Sequence, residues 1–347
     1  MILTVTPNPA IDVTYEVDAL APGASLRVET PVARAGGKGV NVARVLRQVG
    51  LDALAVVTAG GSSGDDLVAD LVASGLPHRV VRTGAPTRRS VAIVDRAAGD
   101  TTILNERGGP LAAPEAAALL RAVADGLGAG GLGTGSLGTG SLGTGSPGRP
   151  SCLVVSGSLP PGAPESLDAD LVRAAHDAGV PAIVDAVGPA LLAACAAGAD
   201  LVKPNREELA ATTGATDPVA GARALLDAGA RRVVVTLGAE GMLAVDAARP
   251  GDVTRARLPR TLRGNPTGAG DAAVAAAAVS LAGHGPAALD DLLRRAVAWS
   301  AAAVLAPLAG ELDPGHRELE RDVVLTHQPA GPPAGSPDPT STESRCH

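Results

Sequence analysis

Asn265-Pro266-Thr267-Gly268-Ala269-Gly270-Asp271 is the stretch on which the reading of this chain turns, and an Ala-rich run from Ala272 to Leu281 follows it. Pro266 fixes a turn, the next three small residues leave the backbone uncovered, and the alanines carry strong helix propensity, so the motif opens a helix. A helix N-terminus presents unpaired N–H groups and the positive end of the macrodipole. Gly268, Ala269 and Gly270 placed there form a cradle for a phosphate or an oxyanion. Asp271 stands at the rim of that cradle. Its carboxylate would repel a bound anion, which makes it a poor phosphate ligand but a well-placed acceptor for the proton of a hydroxyl attacking that phosphate. The competing reading is an aspartate that caps its own helix, a common use of the residue.

Composition narrows what the cradle serves. With 347 residues and 46% apolar content the chain buries a large core, enough for one large α/β domain or two small ones. One Trp, one Tyr and no Phe leave Ala, Val and Leu to fill that core, and deprive the protein of stacking platforms for single-stranded nucleic acid. A net charge of -7 also repels phosphate backbones, so nucleic acid is excluded as a partner. Cys152, Cys195 and Cys346 are odd in number and widely spaced, which fits a reducing compartment rather than a disulfide framework. The N-terminus lacks the basic region and cleavage site of a signal peptide, and no apolar run approaches the ~18 residues of a membrane span. The expectation is a soluble, cytoplasmic protein without a membrane partner.

Along the chain, Ile2 to Thr6 is a β-rich run stopped by Pro7-Asn8-Pro9, and Asp12 lies just beyond it, where α/β sheets collect ligands. Val13 to Val17 and Ser25 to Ala33 read as strands of a small extra sheet. Ala35-Gly36-Gly37-Lys38-Gly39-Val40-Asn41 then leads into Val42, Val45, Leu46 and Val49 at helical spacing, with Gly50 as C-cap. Lys38 is followed by Gly39, so this is no Walker loop; three glycines around one lysine still imply a close approach to something. Strand, helix and strand over Val56–Gly60, Asp65–Ala73 and Val80–Thr83 follow the alternation of a parallel sheet. Ser90 to Asp95 and Thr101 to Asn105 break it as a hairpin, with Arg88 and Arg89 at its start.

From Gly128 to Pro150 the chain collapses into Gly, Ser, Thr and Leu, with Leu-Gly-Thr-Gly-Ser three times between Leu132 and Ser146. This reads as a flexible insert, and its formal match to a dinucleotide fingerprint is forced by the repeat. Beyond it, Leu153–Ser156, Ala182–Asp185, Leu201–Val202 and Val233–Thr236 read as buried strands. Polar stretches stand at their exits: Gly157-Ser158, Lys203-Pro204-Asn205-Arg206-Glu207-Glu208, and Leu237-Gly238-Ala239-Glu240-Gly241. Together they outline the crevice of a doubly wound sheet. A helical region runs from Pro286 to Leu308, and beyond His327 the composition reads as a disordered tail.

Gly36-Gly37-Lys38-Gly39-Val40-Asn41 through Gly50 and Gly60, with Asn265 to Asp271, resembles both signature patterns of the PfkB or ribokinase-like family of carbohydrate kinases, over residues 1 to 310 apart from the insert. Thr6 to Asp12, Asn41 to Leu46, Ser156 to Gly162 and Lys203 to Leu209 are similar to its 1-phosphofructokinase and tagatose-6-phosphate kinase branch. The resemblance implies a doubly wound, mostly parallel α/β domain with a small β lid (residues 10–34 and 87–106), and a homodimer joined through that lid. It implies that Asp12, Gly37, Lys38 and Asn41 hold the sugar, Arg88 its existing phosphate, and that Ser158 lies nearby. Lys203 and Asn205 would approach the ATP phosphates, Glu208 would organise Mg²⁺, and Thr236, Leu237, Gly238, Ala239, Glu240 and Gly241 would line the nucleotide. Gly268, Ala269 and Gly270 become the anion hole and Asp271 the base. The substrate implied is a phosphorylated ketohexose, fructose 1-phosphate first and tagatose 6-phosphate second. Pro266-Thr267 departs from the Thr-Val of the fructose enzymes, and Thr102 falls near a phosphate-binding Arg of a 6-phosphofructokinase relative, which disfavours fructose 6-phosphate. A sugar-phosphate sensor on the same fold is the alternative of another class.

Overall fold

The structure is a computed structural model that describes residues 1–128, 149–283 and 288–329. The repeats between Leu132 and Ser146 lie outside them.

In chain order the elements are β1 (Ile2–Thr6), β2 (Ala10–Val17), β3 (Val32–Gly36), α1 (Lys38–Gln48), β4 (Ala53–Ala59), α2 (Gly61–Ala73), β5 (His78–Arg82), β6 (Arg88–Asp95), β7 (Asp100–Asn105) and α3 (Ala113–Leu127). Then come β8 (Cys152–Ser156), α4 (Leu167–Asp177), β9 (Ala182–Asp185), α5 (Gly188–Ala196), β10 (Leu201–Val202), α6 (Arg206–Thr213), α7 (Pro218–Asp227), β11 (Arg232–Thr236), β12 (Met242–Asp246) and β13 (Arg249–Arg257). The chain closes with α8 (Ala269–Ala282), α9 (Leu289–Leu305), α10 (His316–Asp322) and β14 (Val324–Gln328).

These build a ten-stranded sheet, ordered β14-β13-β12-β11-β10-β9-β8-β1-β4-β5, and a separate four-stranded sheet, β3-β2-β6-β7. The strands from β5 across to β11 run parallel and the last three are antiparallel. From β1 the chain winds outward to β4 and β5, then returns to β8 on its other side and winds the opposite way. The exits of β1 and β8 therefore flank the switch point at which such sheets bind ligands.

Two apolar clusters cover the sheet. One gathers α1, α2, α8 and α9, the other α3, α4, α5 and α7. Without Phe the core closes by short side chains at close range: from Asp271 to Ala278 every residue of α8 is buried, as expected of a helix that is apolar all round. Gly39 has the same purpose, since a Cβ there would stand 2.5 Å from Thr6 Oγ1 and 2.8 Å from the Val5 carbonyl. α1 thus lies directly on β1.

Three expectations need correction. Asp12 is not beyond a strand end but inside β2, opposite Arg34 of β3. The third strand runs over Val32–Gly36 rather than Ser25–Ala33, because pairing with β2 reaches from Thr14 back to Ala10 while residues 25–30 are exposed, with no strand beside them. β14 pairs with β13 from Val324 to Gln328, so the large sheet continues past residue 310 and reaches the first residues of the segment read as a disordered tail, the rest of which, from 330 on, lies outside the described residues.

Asp168, in the first turn of α4, is fully buried with neither carboxylate oxygen partnered. Burial pushes its pKa from 3.8 up to about 7. A carboxylate raised in the folded state binds its proton more tightly there, so its contribution to stability falls as pH climbs from about 4 to about 7. Asp168→Asn is expected to match the parent near pH 4 and exceed it by about 1–3 kcal/mol at pH 8. Urea melts at the two pH values test this; an advantage that does not grow with pH refutes it.

Candidate active site

The glycine motif does open a helix. Gly268 takes a left-handed φ of 85° as the N-cap of α8 and its side offers no capping group; a Cβ there would lie 3.0 Å from Ala309 Cα and 3.1 Å from Gly310 N. Asp271 does not cap the helix. It is buried at 6% exposure, and its Oδ2 accepts a 2.9 Å bond from Asn41 Nδ2. Burial pushes its pKa up to about 7, Lys38 pulling down and Asp185 adding to the rise. A carboxylate poised near neutrality in a closed site is suited to proton transfer.

A row of charges runs beside it. Lys38, at the first turn of α1, places Nζ 3.3 Å from Asp185 Oδ1 and 3.2 Å from Glu208 Oε1. Asp185, at the end of β9, is also 3.4 Å from Lys203 Nζ. Lys203 and Asp185 are 4% and 1% exposed. Burial alone would neutralise Asp185, but Lys203 and Lys38 outweigh it and hold the carboxyl ionised below its usual range. Lys38 likewise stays protonated against burial because Asp185 and Glu208 face it. Lys203 reaches the cradle itself: a Cβ on Gly270 would be 3.6 Å from its Nζ.

Asn205 and Glu208 form a reciprocal cap at the start of α6. The Asn205 side chain accepts from Glu208 N at 2.7 Å, and Glu208 Oε2 accepts from Asn205 N at 2.9 Å. This fixes one Glu208 oxygen on the backbone and turns the other to Lys38. Asn205 also bridges Thr236 in the sheet. From there Leu237 to Gly241 curl through a short 3₁₀ turn, with residues 238–240 exposed. Gly241 is required, since a Cβ at its φ of 89° would meet the Ala256 carbonyl at 2.1 Å.

A second group lies under the small sheet. The Asp12 carboxylate occupies the space of a side chain at Gly36, where a Cβ would be 2.0 Å away. Burial pushes the Asp12 pKa up to about 6, with Arg34, Arg88 and Arg44 holding it down and the Gly37 N–H bonded to it. Arg88 donates from Nε to the Asn8 carbonyl at 3.2 Å and from Nη1 to the Glu106 carbonyl at 2.9 Å. Asn8 in turn donates to Ser158 Oγ at 3.3 Å. A cleft under the small sheet, about 530 Å³ including space open to solvent, is lined by Asp12, Arg34 and Ser90 from that sheet and by Asn265 and Thr267 from the segment leading into the glycine cradle.

The fold therefore brings Lys38, Lys203, Glu208, Asn41, Asp271 and the glycine cradle into one charged group, and Asp12, Gly37, Arg88 and Ser158 into another beside it. Sequence reading left out Asp185, Asn8 and Arg34. Asp185 carried a signal, an acidic residue at the exit of a buried strand, like Lys203 one strand over.

Polar atoms in the site lack partners. Asn41 Oδ1, Asp185 Oδ2 and Thr267 Oγ1 are buried and unbonded, and buried polar groups are left open where a ligand completes them. Glu208 and Asp185 are hard oxygen donors of the kind Mg²⁺ takes, one or two carboxylates with water and phosphate. Among the described residues no three acidic, His or Cys side chains gather as a protein-only metal cage. No helix among them is long and apolar enough to cross a membrane.

The chain matches the sequence profile of pfkB family carbohydrate kinases over residues 6–124 and 148–314. It is 33% identical over 312 residues to ATP-dependent 6-phosphofructokinase isozyme 2 of Escherichia coli K12, covering 88% of this chain and 92% of that one. It is 36% identical over 290 residues to 1-phosphofructokinase of Xanthomonas campestris pv. campestris, covering 80% and 83%. The solved tetrameric inhibited form of phosphofructokinase-2 from E. coli superposes with a TM-score of 0.77 at 31% identity, over 92% of this chain and 98% of the other.

Proposed function

The chain belongs to the pfkB family of carbohydrate kinases and is an ATP-dependent sugar-phosphate kinase of the phosphofructokinase type, and from that premise we propose that it converts fructose 1-phosphate to fructose 1,6-bisphosphate. The observation that carries the choice of sugar is the small sheet. β7 reads Asp-Thr-Thr-Ile-Leu-Asn and holds no arginine, so the cationic groups beside Asp12 come from other elements: Arg34, Arg88 and Arg44. Tagatose 6-phosphate remains the second reading, on the departure of Pro266-Thr267 from the fructose pattern.

In this reading Asp12 and Gly37 orient the sugar hydroxyls, while Arg88 meets the existing phosphate with a charge-assisted bond. Asn41 holds Asp271 so that its carboxylate receives the hydroxyl proton as the oxygen attacks the γ-phosphate. The N–H groups at the start of α8 and the Lys203 ammonium face the charge that develops on the transferred group. Thr236 to Gly241 line the base and ribose. Glu208, with Asp185 behind Lys38, would hold Mg²⁺, which when bound neutralises phosphate charge. Positioning and electrostatics supply most of the rate in such transfers.

The test is nucleotide turnover with fructose 1-phosphate, tagatose 6-phosphate, fructose 6-phosphate and free fructose. Fructose 1-phosphate is expected to give the highest kcat/KM. Free fructose should fall at least about tenfold below it, because a lost charge-assisted phosphate contact costs about 1.5–3 kcal/mol. Highest efficiency with another sugar overturns the assignment, and binding of sugar phosphate without ATP consumption would make the protein a sensor. The pair is also expected to be a homodimer through the small sheet, whose edge strands leave Val32, Ile103 and Leu104 exposed; a monomer in sedimentation at micromolar concentration refutes that.

A further inference from the structure

Arg34, which none of the sequence motifs includes, joins the two halves of the site. It lies in β3 directly opposite Asp12, with its side chain 14% exposed. Nη1 donates to Glu311 Oε1 at 2.9 Å and Nη2 to the Ala309 carbonyl at 2.7 Å. Both acceptors belong to the loop between α9 and α10. That loop is wedged behind the catalytic group: Ala309 and Gly310 back Gly268 at the distances given above, and a Cβ on Gly310 would lie 3.2 Å from both Cα and Oδ1 of Asn41, the residue that donates to Asp271. The loop has other tethers, the Gln48 side chain to both Leu312 N (2.8 Å) and Leu312 O (2.7 Å) and Asn265 Nδ2 to Pro307 O (3.2 Å). Those come from the body of the domain, whereas Arg34 comes from the small sheet.

We propose that Arg34 is a positioning residue that latches the small sheet to the loop behind the glycine cradle, so that the strands carrying the sugar site and the residues aligned on the transferred phosphate keep one fixed spacing. This rests on Asp271 as base and Gly268 to Gly270 as cradle. The planar guanidinium spans a carbonyl and a carboxylate at once, which a lysine ammonium on a flexible stem does not reproduce. A misplacement of about 1 Å between reacting groups costs up to ~10²-fold in rate, so the latch acts on kcat.

The experiment is steady-state kinetics of the full chain, with ATP and the best sugar of the panel, on Arg34→Met, Arg34→Lys, Glu311→Ala and the Met/Ala double variant. Arg34→Met is expected to lose about ten- to a hundredfold in kcat, with the KM for ATP within about threefold of the parent. Arg34→Lys should recover part of the loss. The double variant should be no worse than Arg34→Met alone, since residues acting as a unit are not additive. Unchanged kcat in Arg34→Met, a loss confined to the sugar KM, or a double variant equal to the product of the singles overturns the latch. If Arg34→Met is insoluble, Glu311→Ala decides, and parental kcat there overturns it. Asp271→Asn separates the two ideas: parental turnover in that variant removes the base and the latch with it. An inactive Asp271→Asn beside a fully active Arg34→Met removes the latch alone.

Discussion

Asp271→Asn is expected to lower kcat by about 10²- to 10⁴-fold while sugar and nucleotide still bind. Asparagine keeps the size of the side chain and can still accept the bond from Asn41 Nδ2, but it cannot take a proton. Because burial holds the parent carboxyl at about 7, kcat/KM in the parent should rise with pH through that value as the base loses its proton, and the residual activity of the variant should lack that limb. Stability should move the other way. The folded pKa lies above the ordinary 3.8, so the parent loses stability as pH rises from about 4 to about 7, and the neutral variant should melt higher at pH 8. ATP affinity by calorimetry should hold or tighten, since a negative charge beside the γ-phosphate is gone. Near-parental turnover would take Asp271 out of the chemistry, and an inactive variant that also fails to bind ATP would make it structural.

Removing the charge of Asp185 should damage the fold as well as the reaction. Its Oδ1 lies 3.4 Å from the buried Lys203 ammonium and 3.3 Å from that of Lys38. Asp185→Asn takes from Lys203, 4% exposed, its ion-pair partner, and breaking a buried pair from one side costs about 3–5 kcal/mol. The folded carboxyl titrates below its ordinary value. It therefore stabilises the fold above that ordinary value and ceases to do so as pH falls through the folded pKa, so parent and variant should differ widely at pH 7 and converge in acid. The double variant Asp185→Asn/Lys203→Met should recover much of the loss, because it removes the stranded charge. Urea unfolding of the three proteins checks this, and a single variant as stable as the parent at pH 7 would show that Lys38 and Lys203 find other partners. Turnover should also fall in the single variant, with a higher Mg²⁺ requirement.

The doubly wound architecture was legible in the sequence because it depends on local patterns: buried β runs alternating with helical periods, glycines before Lys38 and Asp271, and polar residues at strand exits. Lys203, Asn205 and Glu208 could be placed for that reason, and their reciprocal cap is itself a local device written in the Asn-x-x-Glu spacing. The resemblance to a known family added roles to these positions but no distances. Irregular segments misled. Residues 25–30 have strand-like composition and stay exposed, while His327 and Gln328, where composition reads as the start of a tail, complete a sheet, because each outcome is decided by whether a partner strand lies alongside.

Tertiary structure alone decided the electrostatics. Asp185, Lys38 and Lys203 lie on three separate elements, and nothing in their neighbourhoods along the chain says that two ammonium groups share one buried carboxylate. The same holds for Asp271: its sequence context allows a helix cap or a base, and only burial in the folded protein raises its pKa, against the lowering pull of Lys38 and of the bond that Asn41 donates from α1. Arg34 and Glu311 are 277 positions apart, and their pairing exists because β3 folds back over the loop that supports Gly268. Burial and charge proximity are sums over residues distant in sequence, so the chain determined by itself which groups the protein carries, and packing determined which of them are desolvated, paired or left open for a ligand.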